Sequence, residues 1–73
     1  MRALGKIGKD AVSALIERVE KEPVVEVRLA AIVELGNIGP DAKDAVGVLT
    51  AASKDGRKAI RDAATEALKK ITK

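Results

Sequence analysis

Phenylalanine, tyrosine, tryptophan, histidine and cysteine are all missing from this 73-residue sequence. Without aromatic rings there is no platform for stacking bases, caging cations or gripping sugars. Without histidine or cysteine there is no Ser-His or Cys-His nucleophile, no tetrahedral zinc site, no disulfide and no thiol redox chemistry. These absences exclude most enzyme classes, so the expectation is a non-catalytic protein with no cofactor. Long apolar runs are lacking too. The longest, Leu29 to Val33, falls far short of the ~20 residues a bilayer span needs, and no charged-then-apolar leader opens the chain. The chain therefore reads as soluble and cytoplasmic, with no membrane partner.

What is present is aliphatic: 13 Ala, 8 Val, 6 Leu and 6 Ile, with Met1, make up 47% of the residues. That is enough apolar matter for a packed fold, built from small and branched side chains only. The length fits one small domain or a piece of one, since domains typically run to ~100–200 residues. A chain of this size buries only ~60% of the surface it exposes when unfolded, which gives it a physical motive to bind a partner or a second copy of itself.

The sequence repeats. Leu4-Gly5-Lys6-Ile7-Gly8 returns as Leu35-Gly36-Asn37-Ile38-Gly39 and, degraded, as Leu68-Lys69-Lys70-Ile71, with leucine offsets of 31 and 33. Val27-Arg28-Leu29-Ala30-Ala31 matches Ile60-Arg61-Asp62-Ala63-Ala64, and Ala11-Val12 with Leu15 match Ala45-Val46 with Leu49. Apolar residues recur at helical spacing and nowhere alternate as in a strand. Ala11, Val12, Leu15, Ile16 and Val19 form one stripe, and Ala42, Ala45, Val46, Leu49 and Ala52 form its counterpart. These predict helices over about residues 10–21 and 41–53. A second helix type carries Val27, Ala31, Leu35 and Ile38 in one copy and Ile60, Ala64, Leu68 and Ile71 in the other, over about 24–38 and 57–72. Pro23 suits a first helical turn, Asp10 and Asp55 can cap, and Gly8 and Gly39 can take the left-handed conformation after a helix end.

This unit resembles the short HEAT-like repeats of the phycobilisome-lyase type, over essentially all 73 residues. The resemblance implies an all-α fold, an α-solenoid of antiparallel helix pairs whose inner helices line a concave face. Residues 1–8 then read as the tail of an inner helix, 9–39 as a first full repeat, and 40–73 as a second repeat with its C-terminal cap. Lys69 stands where the first motif glycine would, which fits a last helix facing solvent. The resemblance also assigns Glu22, Arg28, Asp55 and Arg61 to a structural ladder of acids and arginines between neighbouring repeats. It places Leu29, Ala30, Val33 and Asn37 on the concave face, joined by Asp62, Ala63, Glu66 and Lys70 from the second repeat and Arg2 and Lys6 from the opening segment.

Other chemical readings are weaker. Gly5-Lys6-Ile7-Gly8-Lys9 has two residues too few between its glycines for a phosphate loop, with Asp10 in place of the hydroxyl. Asp10, Asp41 and Asp44 lack calcium-loop spacing and suit first helical turns, where the dipole favours acids. Residues 54–73 hold seven basic and three acidic side chains, against seven and eight in residues 1–53. A basic surface could meet a nucleic-acid backbone, yet cations also complement a C-terminal helix end. The helix around Leu29 and Val33 is apolar nearly all round, with a second stripe of Val25, Leu29, Ile32 and Val33. Apolar residues rimmed by charge form a protein-binding patch, so the expected function is binding of a protein partner, including a second copy as a homodimer. The alternatives are an accessory subunit of a chromophore lyase and a weak nucleic-acid backbone binder.

Overall fold

A computed structural model of the chain describes the backbone of residues 2–72 and the side chains of residues 11–72. Its elements are α1 (Arg2–Lys21), α2 (Val25–Ile38), a 3₁₀ segment (Gly39–Ala45), α3 (Val46–Ala52) and α4 (Lys58–Ile71). There is no strand among the described residues. α1 and α2 make one antiparallel pair, and the 3₁₀ segment with α3 makes a second with α4. The two inner helices, α2 and α4, pack side by side as the main contact of the molecule. They run in the same direction: Arg28 near the start of α2 meets Asp55 just before α4, and Gly36 near the end of α2 meets Ala67. This is the architecture of an α-solenoid.

Three expectations about the elements need correction. A turn was expected at Gly8, but the backbone continues helically from Arg2 to Lys21. The reason lies in the next residue. Gly39 takes a positive φ of 79° and is followed by Pro40, which has no N–H to donate and cannot prolong the helix. Gly8 is followed by Lys9, which imposes no such stop, so Asp10 falls inside α1 and starts no helix. The expected helix over 41–53 is split, because its first part is 3₁₀, with Ala42 off helical geometry at φ −94°, ψ 23°. Side chains three apart eclipse in a 3₁₀ turn, which points Ala42 and Ala45 together into the core, where both are fully buried. Pro23 lies outside α2, because the Glu22 carboxylate accepts the Val24 N–H at 3.2 Å and holds Val24 extended.

The core is entirely apolar among the described side chains. Val12 and Val19 come from α1, Ala31, Ile32 and Leu35 from α2, Ala42 and Ala45 from the 3₁₀ segment, Leu49 and Ala52 from α3, and Ile60, Ala64, Ala67 and Ile71 from α4. Val27, expected in the core from its spacing, is 36% exposed, whereas Ile32 from the second stripe is fully buried. α2 is covered on two sides, by α1 and α4, so its buried arc is wide and is centred between the two predicted stripes. Ile60, the counterpart of Val27 in the second repeat, is fully buried because α2 lies against it.

With no aromatic residue to fill space, α2 and α4 must approach closely. A Cβ built on Gly36 would stand 3.0 Å from the Ala67 Cα and 3.1 Å from its Cβ, so the helix backbones themselves are in contact. Glycine inside a helix costs ~1 kcal/mol relative to alanine, and here the close approach offsets that cost. Gly36→Ala should therefore destabilise the fold by about 1–2 kcal/mol despite its better helix propensity, because overpacking forces the helices apart. Gly47→Ala, in α3 with nothing within 4 Å of its Cβ, should stabilise it by about 0.5–1 kcal/mol. Urea unfolding followed by helical circular dichroism checks both.

Candidate functional site

Two groups of side chains span the two repeats, one at the turns and one on the inner-helix face. The first begins at the turns that lead into α2 and α4, which are built alike. Glu22 binds the Val24 N–H two residues on, and Asp55 Oδ1 binds the Arg57 N–H at 2.8 Å. Val24 and Arg57 are the extended residues from which the inner helices start. Arg28 then reaches across, its Nη2 donating to Asp55 Oδ2 at 3.2 Å, with the two side chains only 20% and 18% exposed. Arg61 closes its own turn, with Nη1 donating to the carbonyls of Asp55 at 3.1 Å and Gly56 at 2.9 Å. Of the four ladder residues, the structure joins Arg28 to Asp55 between repeats, while Glu22 and Arg61 bind the backbone of their own turns.

The N–H of Arg57 holds the Asp55 carboxyl below its usual range, and the charges of Arg57 and Arg28 add to this against a partial loss of solvation. On the outer side, a groove of about 540 Å³ between α1 and α3 runs past this pair, lined by Val19, Lys21, Val48 and Ala52 as well as Arg28 and Asp55. Sequence reasoning missed this groove, because no spacing signals how two outer helices diverge. The Arg28 Nε is buried there without a hydrogen-bond partner.

The second group lies on the inner-helix face. Val33, Ala63, Glu66 and Lys70 line a shallow groove of about 180 Å³ floored by Gly36 and Ala67. Val33 is 47% exposed, and Ala30 and Asn37 are exposed on the same helix. Leu29 departs from its expected place. It is half-buried against the core, because it sits on the side of α2 that the neighbouring helices cover. Asp62 is exposed and pairs with Lys58 at 3.0 Å, and Glu66 pairs with Lys69 at 3.8 Å. The side chains of Arg2 and Lys6 lie outside the described residues. The predicted set missed Glu26 and Ala59, although the periodicity carries them. Glu26, Ala30, Val33 and Asn37 are spaced i, i+4, i+7, i+11, as are Ala59, Ala63, Glu66 and Lys70.

Among the described residues no group of three or more carboxylates could hold a metal ion. In the basic C-terminal region, Arg57, Lys58 and Lys69 are paired with Asp55, Asp62 and Glu66. No helix among the described residues is long and apolar enough to cross a membrane.

Stacked helix pairs with parallel inner helices, a similarly built turn before each inner helix and a salt bridge between repeats define a helical-repeat protein. A family model of HEAT repeats matches residues 12–73. The chain belongs to the HEAT-repeat family, and HEAT repeats in general mediate protein–protein interaction. No curated protein and no solved structure matches it.

The Arg28–Asp55 bridge makes stability pH-dependent with a definite sign. Asp55 has a lower pKa folded than unfolded, so its ionised form stabilises the fold above the unfolded pKa, and that contribution is lost as the pH falls below about 4. Asp55→Asn should lower stability at neutral pH and flatten the loss of stability as the pH falls below about 4. Thermal unfolding of both proteins across that range checks this.

Proposed function

We propose that this chain is a non-catalytic protein-interaction module that binds through the face shared by α2 and α4. The observation that carries the reading is the exposure of Val33 above the Gly36–Ala67 contact, in a groove bounded by Glu66 and Lys70. An exposed branched aliphatic with small residues beside it gives a partner a surface that can be dehydrated, and the surrounding charges supply orientation. Helical repeats offer such inner faces because stacking places successive inner helices side by side. In this reading Ala30, Val33 and Ala63 form the apolar centre, and Asn37, Asp62, Glu66 and Lys70 form the polar rim. Arg28, Asp55 and their turns act only by fixing the relative position of the two inner helices.

Selection of a displayed peptide library on the immobilised protein tests this reading. Enriched peptides should bind Val33→Glu at least about tenfold more weakly than the wild type, since burying a valine contributes ~1.5 kcal/mol or more and a buried carboxylate adds a penalty. Ala14→Glu, on the exposed side of α1, should leave binding unchanged. Peptides that bind Val33→Glu as well as they bind the wild type would show that the binding face lies elsewhere.

A further inference from the structure

Resting on the reading that the α2–α4 face is the binding face, we propose that its occupant is a second copy of this chain. The two copies are related by a two-fold axis that sets Glu26 of each against Lys70 of the other. Glu66 is paired with Lys69 and Asp62 with Lys58, whereas Glu26 and Lys70 form no ion pair among the described residues. Glu26 lies one turn into α2 and Lys70 at the end of α4. Because the two helices run in the same direction, these opposite charges occupy diagonally opposed corners of the face.

A two-fold axis lying in the face, perpendicular to that diagonal, exchanges the two corners. It brings each carboxylate over the ammonium of the other copy, so the pair forms twice. The axis passes over Val33 of α2 and Ala63 of α4, so each meets its own counterpart, and the two exposed valines cover one another. The remaining corners, Asn37 and Ala59, carry no charge and oppose nothing. A parallel arrangement of the two copies would instead set Val33 against the partner's Glu66, burying a charge on a valine. The self-complementary charge pattern favours the first arrangement.

The face also sets the strength. Each inner helix has 14 residues. At 1.5 Å rise and 8–10 Å between axes, two such helices offer about 400 Å² per copy, or about 800 Å² in all. Stable interfaces bury about 1,200 Å² or more, so the dimer is a weak one.

Light scattering over about 10 μM to 1 mM protein at low salt tests the proposal, because the mean mass should climb from 7.6 kDa toward twice that value. Glu26→Lys and Lys70→Glu should each weaken association about tenfold, since a contact repeated by symmetry counts twice and about threefold per pair suffices. The double variant E26K/K70E should restore association to within about threefold of the wild type, which a merely misfolded variant could not do. A protein monomeric at every concentration overturns the second copy as occupant and leaves the peptide selection to judge the face. A dimer indifferent to both reversals but lost in Val33→Glu overturns the pairing and retains the face. A dimer that also survives Val33→Glu overturns both.

Discussion

The approach of α2 to α4 at Gly36 and Ala67 is the constraint on which the rest of the molecule depends. A core without aromatic rings has only alanine, valine, leucine and isoleucine to exclude water, so apolar contact must come from backbones brought near one another. Gly36 permits that approach on one side and the run of small residues Ala63, Ala64 and Ala67 permits it on the other. Once the inner helices are this close, the branched residues Ile32, Leu35 and Ile60 close the space beneath them completely. The same closeness leaves only a shallow groove above Gly36.

Close packing of two cylinders leaves sliding and rotation weakly determined, and the polar groups at the turns supply what the apolar contact lacks. Asp55 is held by the N–H of Arg57 in its own turn and by the guanidinium of Arg28 in the preceding repeat. A single carboxylate thus fixes both the start of α4 and its position along α2. Glu22 performs the first of these tasks for α2, through the N–H of Val24. The Arg28–Asp55 bridge ties the start of α4 to the first turn of α2 across the repeats, so its effect is on register. Register in turn sets the separation of the charged corners of the inner face.

Repetition explains why equivalent residues behave differently. Val27 and Ile60 occupy the same place in their repeats, yet Ile60 is buried and Val27 half-open. The difference is whether another inner helix lies alongside. Likewise Lys69 is exposed at the position where Gly36 lies against Ala67, since no further helix packs there among the described residues. In a solenoid each repeat contacts only its neighbours, so burial is a property of position in the stack as much as of residue type.

The sequence by itself determined the helical class, the pairing into repeats, the inner helices to within a residue or two and most of the core, because apolar spacing is a local property of the chain. It also carried the acid–arginine spacing of Asp55 and Arg61 and the i, i+4, i+7 rows of the inner face. Tertiary structure decided what depends on neighbours. It joined Arg28 to Asp55 across the repeats, turned Ile32 inward and Val27 outward, and packed Leu29 against the core. Two local expectations also changed. The turn at Gly8 gave way to continuous helix where Lys9 follows in place of a proline, and the start of the second outer helix tightened into 3₁₀ geometry so that Ala42 and Ala45 could face the core together. In each case the residue's own preference was permissive, and the choice fell to what lay next to it in sequence or in space.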